Sequence, residues 1–152
     1  MTYIKSKKED DCVFCKDSVR RDELVLFEGE TSFVMMNLYP YISGHIMIIP
    51  FRHVNELEDL LPDERREIFD LQAICIKVLR EAIKPDGFNV GINLGRAAGA
   101  GIDDHIHVHI VPRWNGDTNF MSVVGEVRVI PEDIHKTCEQ LQPYFKKYRR
   151  EV

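Results

Sequence analysis

Asp104-His105-Ile106-His107-Val108-His109-Ile110-Val111-Pro112-Arg113 alternates imidazoles with apolar side chains. Successive side chains of a β-strand point to opposite faces. The stretch therefore predicts a strand with His105, His107 and His109 on one face and Ile106, Val108 and Ile110 on the other. The apolar row asks for a core beneath it. Each imidazole brings a donor and an acceptor that need partners. Such a row of rings points to metal binding, nucleophilic catalysis, or both.

The flanking elements supply that core. Leu24–Phe27 and Phe33–Met36, separated by Gly29, predict a hairpin, and His45–Pro50 reads as a central apolar strand. A short helical turn is expected within 54–61. The clearest helix starts at Pro62, a residue suited to the first helical position, with Asp63 and Glu64 complementing the helix dipole. Ile68, Leu71, Cys75, Val78, Leu79 and Ala82 recur at three- and four-residue spacing and form its buried face, and Lys84-Pro85-Asp86-Gly87 stops it. Phe88–Asn93 predicts a strand, joined to the histidine strand by a Gly- and Ala-rich loop. One more strand is expected near Val123–Ile130. The last helix is expected after Pro131, with Glu132 and Asp133 in its first turn, Ile134, Cys138 and Leu141 buried, and a kink or end at Pro143. Lys146, Lys147, Arg149 and Arg150 close it as a solvated basic face. The order predicts an α+β domain with a mainly antiparallel five-stranded sheet, one long central helix and a C-terminal helix.

At 152 residues the chain suits one core, read as a tail over 1–11 and a single domain over 12–152. Residues 1–11 hold no apolar stretch of signal-peptide length, and no segment reaches transmembrane length, so a cytoplasmic protein without a membrane partner is expected. The formal charge of −5 argues against general nucleic-acid binding. A small anionic ligand needs only a local positive patch, and Arg52, Arg96 and Arg113 all lie beside the segments discussed here. Cysteines in such a compartment act as thiols or metal ligands rather than disulfides. Cys75 and Cys138 fit apolar helix faces, whereas Cys12-Val13-Phe14-Cys15 stands before the first strand.

His105-Ile-His107-Val-His109-Ile-Val resembles the signature of the histidine triad (HIT) superfamily of nucleotide hydrolases and transferases in full. Cys12-Val-Phe-Cys15, Ser43-Gly44-His45 and Arg52-His53-Val54 resemble further pieces of it, in the right order. Arg113-Trp114-Asn115-Gly116-Asp117-Thr118-Asn119-Phe120-Met121 extends the resemblance to bacterial diadenosine tetraphosphate phosphorylases and hydrolases. The resemblance implies that His107 is the nucleophile, attacking an α-phosphorus to form a nucleotidyl-histidine. It implies that His109 hydrogen-bonds a phosphoryl oxygen or the leaving group and that His45 completes the polar cluster. Asn37 is the implied ribose contact, and Asn93, Gly99, Gly101 and Trp114 complete the implied substrate-binding set. A neutral imidazole is chemically competent for that attack. Ala100-Gly101 stands where the phosphorylase branch tends to carry Gly-Ser, which leaves water and phosphate open as acceptors.

The resemblance also implies a Cys₂His₂ zinc site from Cys12, Cys15, His53 and His105, a closed set suited to structural zinc. It implies a homodimer or a higher homo-oligomer. Other readings of the same residues are an adenosine phosphoramidase, a nucleotide-binding regulatory protein without turnover, and a catalytic metal centre, which lacks a carboxylate at matching spacing. His135 reads as a solvated or structural residue.

Overall fold

The protein is described by a computed structural model that covers residues 12–15, 19–100, 105–118 and 133–151. The expected tail over 1–11, the strand near Val123–Ile130 and the implied substrate contact Gly101 lie outside the described residues. A short helix not foreseen from the sequence, α1 (Val19–Leu24), leads into β1 (Val25–Glu28). β1 and β2 (Ser32–Met36) form the expected antiparallel hairpin. Its turn is held from outside, by the carboxylate of Glu67 accepting from the backbone N–H groups of Glu30 and Thr31 at 2.7 Å each. β3 (Ile46–Pro50) is buried throughout, as its unbroken apolar run requires. With β4 (Gly87–Ile92) and β5 (Val108–Arg113) it completes a five-stranded sheet in the order β1-β2-β3-β5-β4, antiparallel at every pairing.

A 3-10 turn at Leu57–Asp59 precedes α2 (Pro62–Ile83), which packs against β2, β3 and β5. Its buried face is the expected stripe with Ile74 added, while Ala82 is only partly buried. Lys84 ends the helix in the left-handed conformation at φ 50°, just before Pro85. The last helix, α3 (Ile134–Tyr148), packs on α2 and β1. Asp133 is its N-cap rather than part of the first turn, accepting from His135 N–H at 3.0 Å. Nor does Pro143 end it: the helix runs on to Tyr148. An internal proline costs about 3 kcal/mol, but burying Leu141 and Phe145 returns roughly 1.5–3 kcal/mol each. Beyond the proline, Lys147 and Tyr148 both reach the Glu81 carboxylate on α2, at 2.6 and 2.7 Å. Among the described residues, no helix is long and apolar enough to cross a membrane.

The histidine segment departs from the expected strand. β5 begins only at Val108, so His109 alone of the three lies within it. The reason is a competing backbone partner: Ile106 N–H donates to the Val54 carbonyl at 2.7 Å, which draws this stretch toward the chain after β3. Within β5 the alternation holds, with Val108, Ile110 and Pro112 buried. Register sets Met47 on one side of His109 and Gly91 on the other. Gly91 has open space where a Cβ would stand, so the sheet face beside His109 is uncovered there.

Candidate active site and metal cluster

Cys12 and Cys15 sit in a tight turn closed by Cys15 N–H donating to the Cys12 carbonyl at 3.2 Å. Their sulfurs meet His53, which follows β3, and His105. Nδ1 of His105 lies 3.4 Å from Cys12 Sγ and 3.8 Å from Cys15 Sγ, and Nδ1 of His53 lies 3.4 Å from Cys15 Sγ. The four ligand atoms all fall within 4.8 Å of one another. A tetrahedral ion with sulfur at about 2.3 Å and nitrogen at about 2.0 Å spaces such ligands about 3.5 Å apart. The donor set therefore fits a metal ion. His105 carries the supporting contact such ligands need, because its Nε2–H donates to the Pro50 carbonyl at 2.8 Å and so leaves Nδ1 with its lone pair. Cys75 and Cys138 are buried among apolar side chains, where burial pushes both thiols up, and they take no part.

His45, His107 and His109 form a second cluster, and fixed backbone groups set their tautomers, while His135 stands apart and exposed at the start of α3. Nδ1 of His107 lies 2.8 Å from the carbonyl of His105. A carbonyl only accepts, so Nδ1 carries the proton and Nε2 holds a free lone pair. His45 is opposite in sense: the Tyr41 backbone N–H donates to its Nδ1 at 3.1 Å, so its proton is on Nε2. That Nε2–H donates to Nδ1 of His109 at 2.9 Å, which leaves His109 protonated on Nε2. The amide of Asn37 lies 3.4 and 3.2 Å from the two ring nitrogens of His45, a placement over the ring face rather than in its plane. Among the described residues, Nε2 of His109 is the buried side-chain donor without a hydrogen-bond partner. Its ring meets that of His107 edge-on, with the ring centres 4.6 Å apart.

Burial keeps these rings neutral. His45 is pushed down to about 3 by desolvation first, then by His109 and His107. His109 is pushed down to about 4, again by burial and then by His107. His105 falls to about 4 through burial, against the pull of the Pro50 carbonyl, and His107 is lowered by burial. His45 owes its position to Gly44 at φ +79°, where a Cβ would lie 2.5 Å from Ile83 Cδ1 and 3.2 Å from Pro112 Cγ. Only glycine fits both that backbone and that space.

His107 opens on a cavity of about 330 Å³ that Asn37 and Asn93 also line, so three of the residues singled out from the sequence converge there. Val13 and Phe14 form another part of its wall, and the Phe14 ring lies 5.2 Å from that of His107. Phe14 escaped the sequence reading, although its place between the two cysteines of the candidate metal cluster was a signal. The Tyr41 contact had none, since a backbone amide has no residue identity. On the loop side the wall is Gly95, Arg96 and Ala100. Gly99 turns away, its N–H donating to the Arg96 carbonyl at 3.0 Å. Trp114 lines a different surface depression, with Asp86 and Arg113.

Known proteins are similar to this chain. An AP-4-A phosphorylase of Mycobacterium tuberculosis is 45% identical over 114 residues, 75% of this chain and 58% of its own length. This chain thus spans little more than half of that relative. A bis(5'-adenosyl)-triphosphatase of Dictyostelium discoideum is 28% identical over 140 residues, 88% of this chain and 93% of its own. A solved Zn-bound histidine triad family protein from Mycobacterium smegmatis superposes with a TM-score of 0.74 at 27% identity, over 95% of this chain and 99% of that one. The HIT domain profile matches residues 19–116, from α1 to the end of the triad strand and its turn. Sequence, sheet order and histidine cluster lead to one assignment: the chain belongs to the HIT domain family.

Proposed function

We propose that this HIT domain cleaves diadenosine polyphosphates, diadenosine tetraphosphate foremost, through a nucleotidyl-His107 intermediate. The observation that carries the reading is the 2.8 Å bond from Nδ1–H of His107 to the His105 carbonyl, which leaves the Nε2 lone pair available beside the cavity. In the first step Nε2 attacks the α-phosphorus. A P–N bond forms, the P–O bond to the rest of the chain breaks, and its electron pair leaves on that oxygen. His109, with its unsatisfied Nε2–H, stabilises the charge that develops on phosphoryl or leaving oxygen. His45 holds His109 in that tautomer. Water or inorganic phosphate then attacks the same phosphorus, and the P–N pair returns to Nε2. Asn37 contacts the ribose and Asn93 completes the substrate-binding set of this cavity, which Gly99 and Trp114 do not line. The names of the two relatives, a phosphorylase and a triphosphatase of adenosine dinucleotides, agree with this substrate class.

Zinc is the metal this reading gives to Cys12, Cys15, His53 and His105. When bound, it ties the segment before α1 to the start of the triad segment as a structural crosslink. A cytoplasmic homodimer completes the proposal. Its support is apolar surface near an open sheet edge: Phe69 on α2 is 74% exposed, with Leu57 and Leu61 nearby in sequence, and Val90 is exposed on edge strand β4.

The decisive experiment is product analysis of diadenosine tetraphosphate with and without inorganic phosphate. AMP plus ATP without phosphate makes the acceptor water, and phosphate-dependent ADP plus ATP makes it phosphate. No cleavage under either condition overturns the reading.

A further inference from the structure

Three arginines flank the segments that build this site, and the fold disposes of them differently. Arg52 is clamped on Glu64, at 3.0 Å from Nε and 2.8 Å from Nη2, and reaches the Asp59 carbonyl at 2.7 Å. Arg113 forks onto Asp117 at 2.6 and 2.9 Å and reaches Asn89 Oδ1 at 2.8 Å. Neither has a guanidinium free for a ligand. Arg96 instead lines the cavity beside His107, together with Asn55, Glu56 and Asn93. Among the described residues its guanidinium has no hydrogen-bond or ion-pair partner.

The loop that carries it has turned its own amides inward. Gly95 and Gly99, at φ 77° and φ 87°, bracket a 3-10 turn at Arg96–Ala98. The N–H groups of Ala98 and Ala100 donate to the Gly95 carbonyl, at 3.2 Å each, and that of Gly99 to Arg96. Those three amides are thus engaged within the turn. Burial keeps His45 and His109 uncharged at neutral pH, so they add no fixed positive charge. Among the described lining residues, Arg96 is the one permanent cation and Glu56 the one carboxylate. A polyphosphate carries a negative charge on each phosphate and needs a cation where it leaves the reacting centre. A guanidinium suits that task, because its donor fork matches phosphate oxygens.

We propose that Arg96 forms an anion subsite for a phosphate next to the scissile one, selecting polyphosphate chains over nucleotides whose α-phosphate bears an uncharged leaving group. This rests on the functional reading above, and it names the residue that sets chain preference. A phosphate at this point is either the next one in the substrate or a free phosphate entering as acceptor.

Calorimetric titration of His107→Asn protein, which cannot turn substrate over, tests the subsite. AMP, ADP, ATP, diadenosine tetraphosphate and inorganic phosphate are each titrated with Arg96 intact and with Arg96→Ala. The side chain is exposed and, among the described residues, without partners, so both proteins should fold alike, and circular dichroism checks this. With Arg96, affinity rises from AMP to ADP and beyond; Arg96→Ala removes about tenfold of that rise and leaves AMP unchanged. Arg96→Lys recovers part of it. Loss of inorganic phosphate binding with the AMP-to-ADP rise intact overturns chain selection by Arg96 and leaves it an acceptor contact only. AMP and ADP binding equally well to the parent, or equal losses for both in Arg96→Ala, overturns the subsite while the functional reading stands. If no adenosine nucleotide binds either protein, the functional reading falls and the subsite with it.

Discussion

His105 serves two centres at once: its ring Nδ1 faces Cys12 Sγ at 3.4 Å, and its carbonyl accepts from Nδ1–H of His107 at 2.8 Å. The candidate metal cluster and the proposed nucleophile therefore share one residue, through its side chain and its backbone. A defect at the metal ligands should then reach the reaction as well as the fold. Purified protein is expected to hold about one equivalent of zinc, and Cys12→Ser should lose it and lower Tm by about 5 °C or more. The fall in activity should appear in kcat more than in KM, because the orientation of His107 is what loosens. Cys75→Ala, buried away from the cluster, should leave zinc content unchanged. Substantially less than one equivalent, together with unaltered folding of Cys12→Ser, would sink the metal assignment.

Replacing the proposed nucleophile gives the sharpest kinetic outcome. His107→Ala should lower kcat by at least about 10³-fold with little change in Tm, since the ring lines a cavity and is not part of the core. Near-parental turnover of diadenosine tetraphosphate by this variant would remove His107 from the mechanism.

His45 and His109 should act as one unit. His45 donates to His109 at 2.9 Å and fixes where its proton sits, so removing either ring loses the same Nε2–H donor. Each alanine variant should lower kcat by about 10²-fold, and the double variant by no more than the worse single one. A double-mutant cycle reads this directly; multiplicative losses mean that the two rings act separately.

The buried neutral histidines should make the fold acid-sensitive. His45 is held near 3 against 6.5 for the unfolded chain. Between those values the unfolded state binds more protons, so the stabilisation is complete above about pH 6.5 and is lost as pH falls. His45 lowers stability by about 1.4 kcal/mol per pH unit in that window. Urea midpoints at pH 7, 6 and 5 measure the slope, which His45→Asn should flatten. An equally steep slope in that variant assigns the acid sensitivity elsewhere.

Gly44→Ala should harm both stability and activity. Its Cβ would meet Ile83 and Pro112 at a left-handed backbone position next to His45, a combination costing about 1–3 kcal/mol. Gly91→Ala, where a Cβ meets open space, should cost far less stability. Parental Tm and kcat for Gly44→Ala would mean that the loop yields without moving His45.

Much of this protein is legible in local pattern. Periodicity in α2, the apolar run of β3 and the hairpin strands follow from side-chain spacing, because burial on one face leaves a fixed period in the sequence. The alternation of the three triad histidines is local in the same way, whereas the grouping of Cys12, Cys15 and His53 with His105, which the fold brings together, came from the family resemblance. Where local pattern and structure part, a long-range partner decides. Ile106 pairs with Val54 and delays the start of β5, and packing of Leu141 and Phe145 carries α3 through Pro143. Sequence determined the residue types from which the proposed chemistry is drawn, since residue type and spacing are local. Only tertiary structure decided which nitrogen of each histidine bears its proton and which of three arginines keeps an unpaired charge. Those are set by the Tyr41 amide, the His105 and Pro50 carbonyls, Glu64 and Asp117, groups brought into contact by folding.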